Sequence, residues 1–199
     1  AVVGGLLLLY GRGAENKMSR RDGYCVVTLS WVFFTFFGML PFYFSGSIDT
    51  ITNAFFETMS GFTTTGATIL DDIESLSHGM LFWRSLTQWI GGLGIVFFTI
   101  AILPIFTTGG VQLFSAESTG VTHDRTHPKI NVMAKWLWTI YLVLTVSETV
   151  LLMFGGMSLF DAICQSFATT ATGGYSTKQN SISYWNSPYI EYVVAIFMI

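Results

Sequence analysis

Three stretches of this 199-residue chain are apolar over lengths that match the hydrocarbon layer of a membrane: residues 24–44, 80–106 and 132–154. A helix needs ~20 apolar residues to cross a bilayer, and in lipid its backbone groups must be satisfied within the segment itself. Composition points the same way. Charged residues make up 11% of the chain and mean hydropathy is +0.56, whereas soluble domains carry roughly a quarter charged residues. The first stretch is broken by Pro41. The second holds Arg84 and Gln88 near its start and Pro104 near its end, and the third holds Lys135 at one end and Glu148 in its body.

Shorter apolar runs stand at both ends, residues 1–10 and 189–199. The opening run lacks the basic segment and small-residue cleavage site of a signal peptide. Both runs are expected to be parts of transmembrane helices cut short, in a piece of a longer protein. The net charge of −3 gives no basic field for nucleic acid. Cys25 and Cys164 lie in apolar stretches without redox or metal-ligand spacing, so the expectation is two buried small hydrophobes and no disulfide.

Charge placement sets a topology. Residues 11–23 contain Arg12, Lys17, Arg20 and Arg21, and residues 107–135 contain Arg125, Lys129 and Lys135, together seven of the nine basic residues. Residues 45–79 contain Asp49, Glu57, Asp71, Asp72 and Glu74 without any Lys or Arg, and residues 155–188 have Lys178 as their basic residue. Basic loops stay in the cytoplasm, so the acidic loops are expected to face outside, in alternation through three spans.

Each outer loop contains an apolar run too short to cross, residues 51–62 and 159–170, behind the plausible N-caps Thr50 and Ser158. Runs of roughly 10–14 apolar residues suggest re-entrant segments. Each leads into a Thr/Gly strand: Thr63-Thr64-Thr65-Gly66-Ala67-Thr68, and Ala171-Thr172-Gly173-Gly174-Tyr175-Ser176. A shift of 108 positions superimposes the two regions without a gap. Thr50 falls on Ser158, Asn53 on Asp161, Ala54 on Ala162, Thr58 on Ser166, Thr64 on Thr172 and Gly66 on Gly174. The unit is helix, half-helix, extended strand, helix, and it occurs twice. Transporters are commonly assembled from such repeats.

Non-helical backbone at membrane depth is tolerated where it is buried in protein or lines a wet cavity. Glycine permits the backbone angles that turn successive carbonyls toward an axis, and those carbonyls can replace the water around a cation. The half-helix aims the negative end of its dipole at the same place. Neither strand holds a carboxylate, which favours a monovalent ion over a divalent one.

The segment Phe56-Glu57-Thr58-Met59-Ser60-Gly61-Phe62-Thr63-Thr64-Thr65-Gly66-Ala67-Thr68 resembles the first pore loop of the TrkH family, within the Trk/Ktr/HKT superfamily of potassium transporters. Gln88-Trp89-Ile90-Gly91-Gly92-Leu93-Gly94-Ile95 resembles the helix that follows, and Gly110-Val111-Gln112-Leu113-Phe114 with Ala116-Glu117 the next cytoplasmic loop. Phe160-Asp161-Ala162-Ile163 and Ala171-Thr172-Gly173-Gly174-Tyr175-Ser176-Thr177 resemble the second pore loop.

The resemblance implies an all-α membrane protein with four helix–loop–helix repeats around one pore. This chain would supply the end of a preceding helix (1–10), repeat one (24–106), a cytoplasmic loop (107–131) and a truncated repeat two (132–199). The half-helices would be residues 50–62 and 158–170, and the filters 63–68 and 171–176. The implied ion-binding residues are Thr64, Thr65, Gly66, Ala67, Thr172, Gly173, Gly174 and Tyr175, with potassium as the transported ion and no cofactor or transition metal. A glycine at the key filter position goes with potassium selectivity, and a serine in the first loop with sodium permeation in some plant relatives; Gly66 and Gly174 keep the glycine. A homodimer in the inner membrane and a cytoplasmic nucleotide-binding partner of the TrkA type are also implied. The family's gate lies in the third repeat, so no gate residue is assigned.

Arg84 is a charge near the outer end of a spanning helix, expensive if unpaired. Glu57 is its expected partner, in an ion pair bracing the loop behind the filter. Glu148, flanked by Ser147 and Thr149, is expected to make a polar contact with a neighbouring helix. His123 and His127 are expected to be solvated loop residues, since Pro128 follows and no third ligand is evident. Gly91, Gly92 and Gly94 suit close helix packing. Asp71, Asp72 and Glu74 either gather cations at the outer mouth or form an ordinary solvated loop. A sodium-permeable or ion-coupled relative fits the same residues. An enzyme with a Thr or Ser nucleophile would need a base beside the hydroxyls; His78 is the nearest histidine and follows an acidic loop, so the chain is expected not to be an enzyme.

Overall fold

The computed structural model describes residues 20–95 and 129–198, with side chains described over 21–95 and 135–198. The expected helix end at 1–10, the basic residues Arg12 and Lys17, the stretch 96–106, and the loop with His123, Arg125 and His127 lie outside the described residues. Among the described residues all regular structure is helical. In chain order it comprises α1 (Arg20–Gly38), α2 (Leu40–Phe44), α3 (Ile51–Phe62), α4 (residues 78–95), α5 (Lys129–Phe154), α6 (Leu159–Thr170), a 3₁₀ turn (Ser181–Trp185) and α7 (Pro188–Phe197).

The first apolar stretch forms two helices. It parts at Met39, two residues before Pro41, as expected where proline offers no N–H to the carbonyl four residues back and its ring crowds that carbonyl. The segments Arg21–Phe44 and Lys135–Phe154 are both long and apolar enough to cross a membrane. Their burial pattern is the reverse of a soluble protein's. Val26, Leu29, Phe33, Phe34 and Phe37 on α1, and Trp136, Ile140, Val143 and Val146 on α5, are exposed, while Thr35, Thr145 and Glu148 on the same helices are buried. Exposed apolar surface on this scale marks a lipid or protein interface, and the polar side chains gather inside. Cys164 is buried as expected. Cys25 is exposed, because its position on α1 belongs to the outward face, where a small apolar thiol meets no protein.

Each half-helix leans on the helix before it, α3 on α1 and α6 on α5, and α7 packs on both α5 and α6. Both half-helices start with the same device. Thr50 Oγ1 accepts the amide of Asn53, and Ser158 Oγ accepts the amide of Asp161 at 3.1 Å while donating to the Asp161 carboxylate at 2.7 Å. A capping side chain satisfies one of the orphan amides of the first turn, and its loss costs ~1 kcal/mol. Ser158→Ala in the full-length protein is accordingly expected to lower thermal stability by about 1 kcal/mol without changing the transported ion. Thermal unfolding read alongside ion competition checks both halves of that expectation.

The glycines of α4 permit close approach. A methyl group on Gly91 would collide with the carbonyl of Phe62 at the end of α3, and one on Gly92 would crowd Tyr141 and Ala171. α4 is thereby wedged between the ends of both half-helices.

Candidate functional site

The two Thr/Gly strands leave their half-helices through the same geometry, residue for residue. Thr64 and Thr172 have φ of 54° and 53°, and Gly66 and Gly174 have φ of 77° and 84°. The Thr64 amide donates to Gly61 O at 3.0 Å and that of Thr65 to Ser60 O at 2.9 Å; the Thr172 amide donates to Thr169 O and that of Gly173 to Ala168 O, both at 2.8 Å. A β-branched residue with positive φ is a strained outlier, and two equivalent outliers are held by equivalent bonds. Such strain concentrates at functional sites.

The hydrogen bonding of the strands is one-sided. Amides at 63, 64, 65, 172, 173 and 175 are bonded, yet among the described residues no carbonyl from Thr63 to Gly66 or from Ala171 to Tyr175 accepts a hydrogen bond. Backbone carbonyls within protein are ordinarily paired. Here six of the donors are tied back into the scaffold and the acceptors are left available, which suits a cation stripped of its water. The C-terminal dipole ends of α3 and α6 add negative potential at the same strands.

A buried brace lies behind the first strand. Arg84 Nε donates to Glu57 Oε1 at 2.8 Å, with the two side chains 2% and 0% exposed. Glu57 also accepts the Thr68 hydroxyl at 2.9 Å and the Ile69 amide at 3.0 Å, which fixes the strand's exit. Arg84 Nη1 donates to Ser176 O in the other loop at 3.0 Å, and its guanidinium lies 3.7 Å from the centre of the Tyr175 ring. Tyr175 reaches back, its hydroxyl donating to Glu57 O at 2.9 Å, with Ala67 O the alternative acceptor at 3.3 Å. Beyond the strands Lys178 pairs with Glu74 at 3.3 Å, and Gln179 Oε1 accepts the Ile73 amide. The two loops form one interlocked unit.

Residues 2–199 match the TrkH family model, described as a cation transport protein. The chain belongs to the TrkH family. It is 47% identical to the Trk system potassium uptake protein TrkH of Escherichia coli (strain K12), over 99% of this chain and 41% of that protein. It is 40% identical to the TrkH of Halomonas elongata over the same shares. The crystal structure of the potassium transporter TrkH from Vibrio parahaemolyticus superimposes with a TM-score of 0.82 at 36% identity, covering 98% of this chain and 39% of that one. This chain spans about two fifths of the length of the curated relatives it matches. Like other TrkH-family chains it is a multi-pass membrane protein.

In this TrkH-family chain the residues expected at the first strand (Thr64, Thr65, Gly66, Ala67) and the second (Thr172, Gly173, Gly174, Tyr175) come together. A methyl group on Gly66 would collide with the carbonyl oxygen of Gly173, so the strands touch there. Tyr175 differs from the others, because its side chain is buried and serves the brace. Glu148 is fully buried toward α6. The Thr169 hydroxyl lies near it, but among the described residues neither carboxylate oxygen has a hydrogen-bond partner. The expected polar contact is therefore a proximity, not a bond. Gln165 occupies the place that Glu57 holds in repeat one, and its Oε1 is likewise unpartnered. Sequence reasoning passed over Gln88 and the crossing bonds of Tyr175, since nothing local to those residues signals a partner some 90 to 120 positions away.

Proposed function

We propose that this chain is the first half of a potassium-uptake pathway, with Thr64, Thr65, Gly66, Ala67, Thr172, Gly173, Gly174 and Tyr175 supplying two of four filter strands. The observation that carries the reading is the one-sided hydrogen bonding of the strands, with amides bonded and carbonyls unclaimed at equivalent positions. Carbonyls of that kind match the demands of a dehydrated monovalent cation. The printed names of the relatives, potassium uptake proteins and a potassium transporter, support potassium as the ion. Gly66 and Gly174 support the same choice over sodium. Glu57 and Arg84 act as a brace rather than as ion ligands, since each spends its polar atoms on protein partners.

The filter loops face the outside of the cytoplasmic membrane, the acidic residues Asp71, Asp72 and Glu74 lying on that side by the charge rule. The complete protein works as a homodimer with a cytoplasmic nucleotide-binding subunit of the TrkA type.

The full-length protein is expected to restore growth of a potassium-uptake-deficient bacterium on limiting potassium, with rubidium tracer influx displaced by potassium and not by sodium. Equal displacement by sodium overturns the choice of ion, and absence of rescue by a protein that reaches the membrane overturns the pathway.

A further inference from the structure

Gln88 belongs to neither strand and to no ion pair, yet it is completely buried and its carboxamide lies against the second strand. Its Oε1 accepts the amide of Tyr175 at 3.1 Å. An N–H can be received only by the oxygen of a carboxamide, so the bond fixes the amide's orientation. The Nε2 atom has no partner among the described residues. A carboxamide buried with half its capacity unused is held for the other half. The carboxamide is also in close contact two residues earlier, where a methyl group on Gly173 would collide with it.

The equivalent amide in the first strand, at Ala67, has no side chain receiving it among the described residues. Among the described residues the device is seen at the second strand, and it comes from α4, the helix of the other repeat. It anchors the strand one residue after Gly174, whose φ of 84° reverses the backbone. With Tyr175 N–H drawn onto Gln88, the carbonyls of Thr172, Gly173 and Gly174 stay free of hydrogen bonds.

We propose that Gln88 is a selectivity-determining positioning residue, which holds the second filter strand from repeat one and keeps its carbonyls available to the ion. This rests on the filter reading above. In the full-length protein, Gln88→Leu keeps the branched volume against Gly173 and removes the acceptor, leaving a buried amide unpaired. With the strand no longer held, the potassium-over-sodium preference is expected to fall about tenfold. Gln88→Glu retains an acceptor oxygen and is expected to recover most of the preference. If Gln88→Leu fails to assemble, replacing the Tyr175 backbone amide by an ester removes the N–H with every side chain intact, and the same loss is expected.

The readout is sodium and potassium competition against rubidium influx in protein of wild-type thermal stability, with Gly66→Ser as control. Normal preference in Gln88→Leu or in the ester variant, while Gly66→Ser loses it, overturns the role of Gln88 and leaves the filter intact. Equal loss in Gln88→Leu and Gln88→Glu also overturns it, since the acceptor is then not what matters. A wild-type protein without potassium preference removes the filter reading and this proposal together.

Discussion

The full-length protein carrying Arg84→Gln is expected to lose growth on limiting potassium, and Glu57→Gln to follow closely. Both side chains are out of contact with solvent, 2% and 0% exposed. Removing one partner of a buried ion pair strands the other charge, at a cost of about 3–5 kcal/mol. Native proteins hold only about 5–15 kcal/mol in total. Arg84→Gln also removes the bond to Ser176 O and the guanidinium on the Tyr175 ring, so it loosens both loops. Glu57→Gln leaves the Thr68 hydroxyl and the Ile69 amide with a poorer acceptor. The double variant is expected to assemble better than either single one, because no unpaired charge remains. Complementation and thermal unfolding of the purified protein together decide the matter. Wild-type uptake and assembly in both single variants would show that the brace is dispensable.

The second large effect separates two glycines that look identical in sequence. Gly66→Ser adds a β-carbon at a φ of 77° directly against the Gly173 carbonyl oxygen, and both obstacles are backbone. The strain of a non-glycine residue in that region is of order 1–3 kcal/mol, and displacement of the facing strand adds to it. At Gly174 the φ of 84° imposes comparable strain, but among the described residues nothing lies within 4 Å of an added β-carbon. Gly66→Ser is thus expected to lower potassium-over-sodium preference by at least about tenfold, and Gly174→Ser by distinctly less. Ion competition in the same strain measures the two ratios side by side. Equal ratios would contradict the close approach of the strands.

Much of the frame was legible because it obeys short-range rules. Apolar length located α1 and α5, the caps Thr50 and Ser158 located the starts of α3 and α6, and the shift of 108 positions linked the two loops. The pairing of Glu57 with Arg84 was legible because a membrane leaves a buried charge few choices. The break at Met39 came two residues before the proline that causes it. What stayed hidden was which side chains serve the opposite loop. Tyr175 reads as one more filter residue until its hydroxyl is found on Glu57 O, and Gln88 reads as a polar residue in a helix until Tyr175 N–H is found upon it. Such contacts depend on how two repeats face one another, and a pattern within either repeat carries no trace of that.

The crossing bonds also bear on how the molecule is made. Arg84 enters the membrane 92 residues before Ser176, the carbonyl it finally grips. At translation rates of ~5–20 residues per second, that interval is roughly 5–18 s, during which the newly inserted first repeat holds a guanidinium with part of its donor set unused. Tyr175 and Gln88 are separated by a similar delay. The first repeat therefore waits in the bilayer as an incomplete template, and arrival of the second loop is the event that locks it. A ribosome stalled between the two repeats should leave a protease-sensitive insertion intermediate, which acquires resistance once residue 178 has cleared the exit tunnel and Lys178 can close on Glu74.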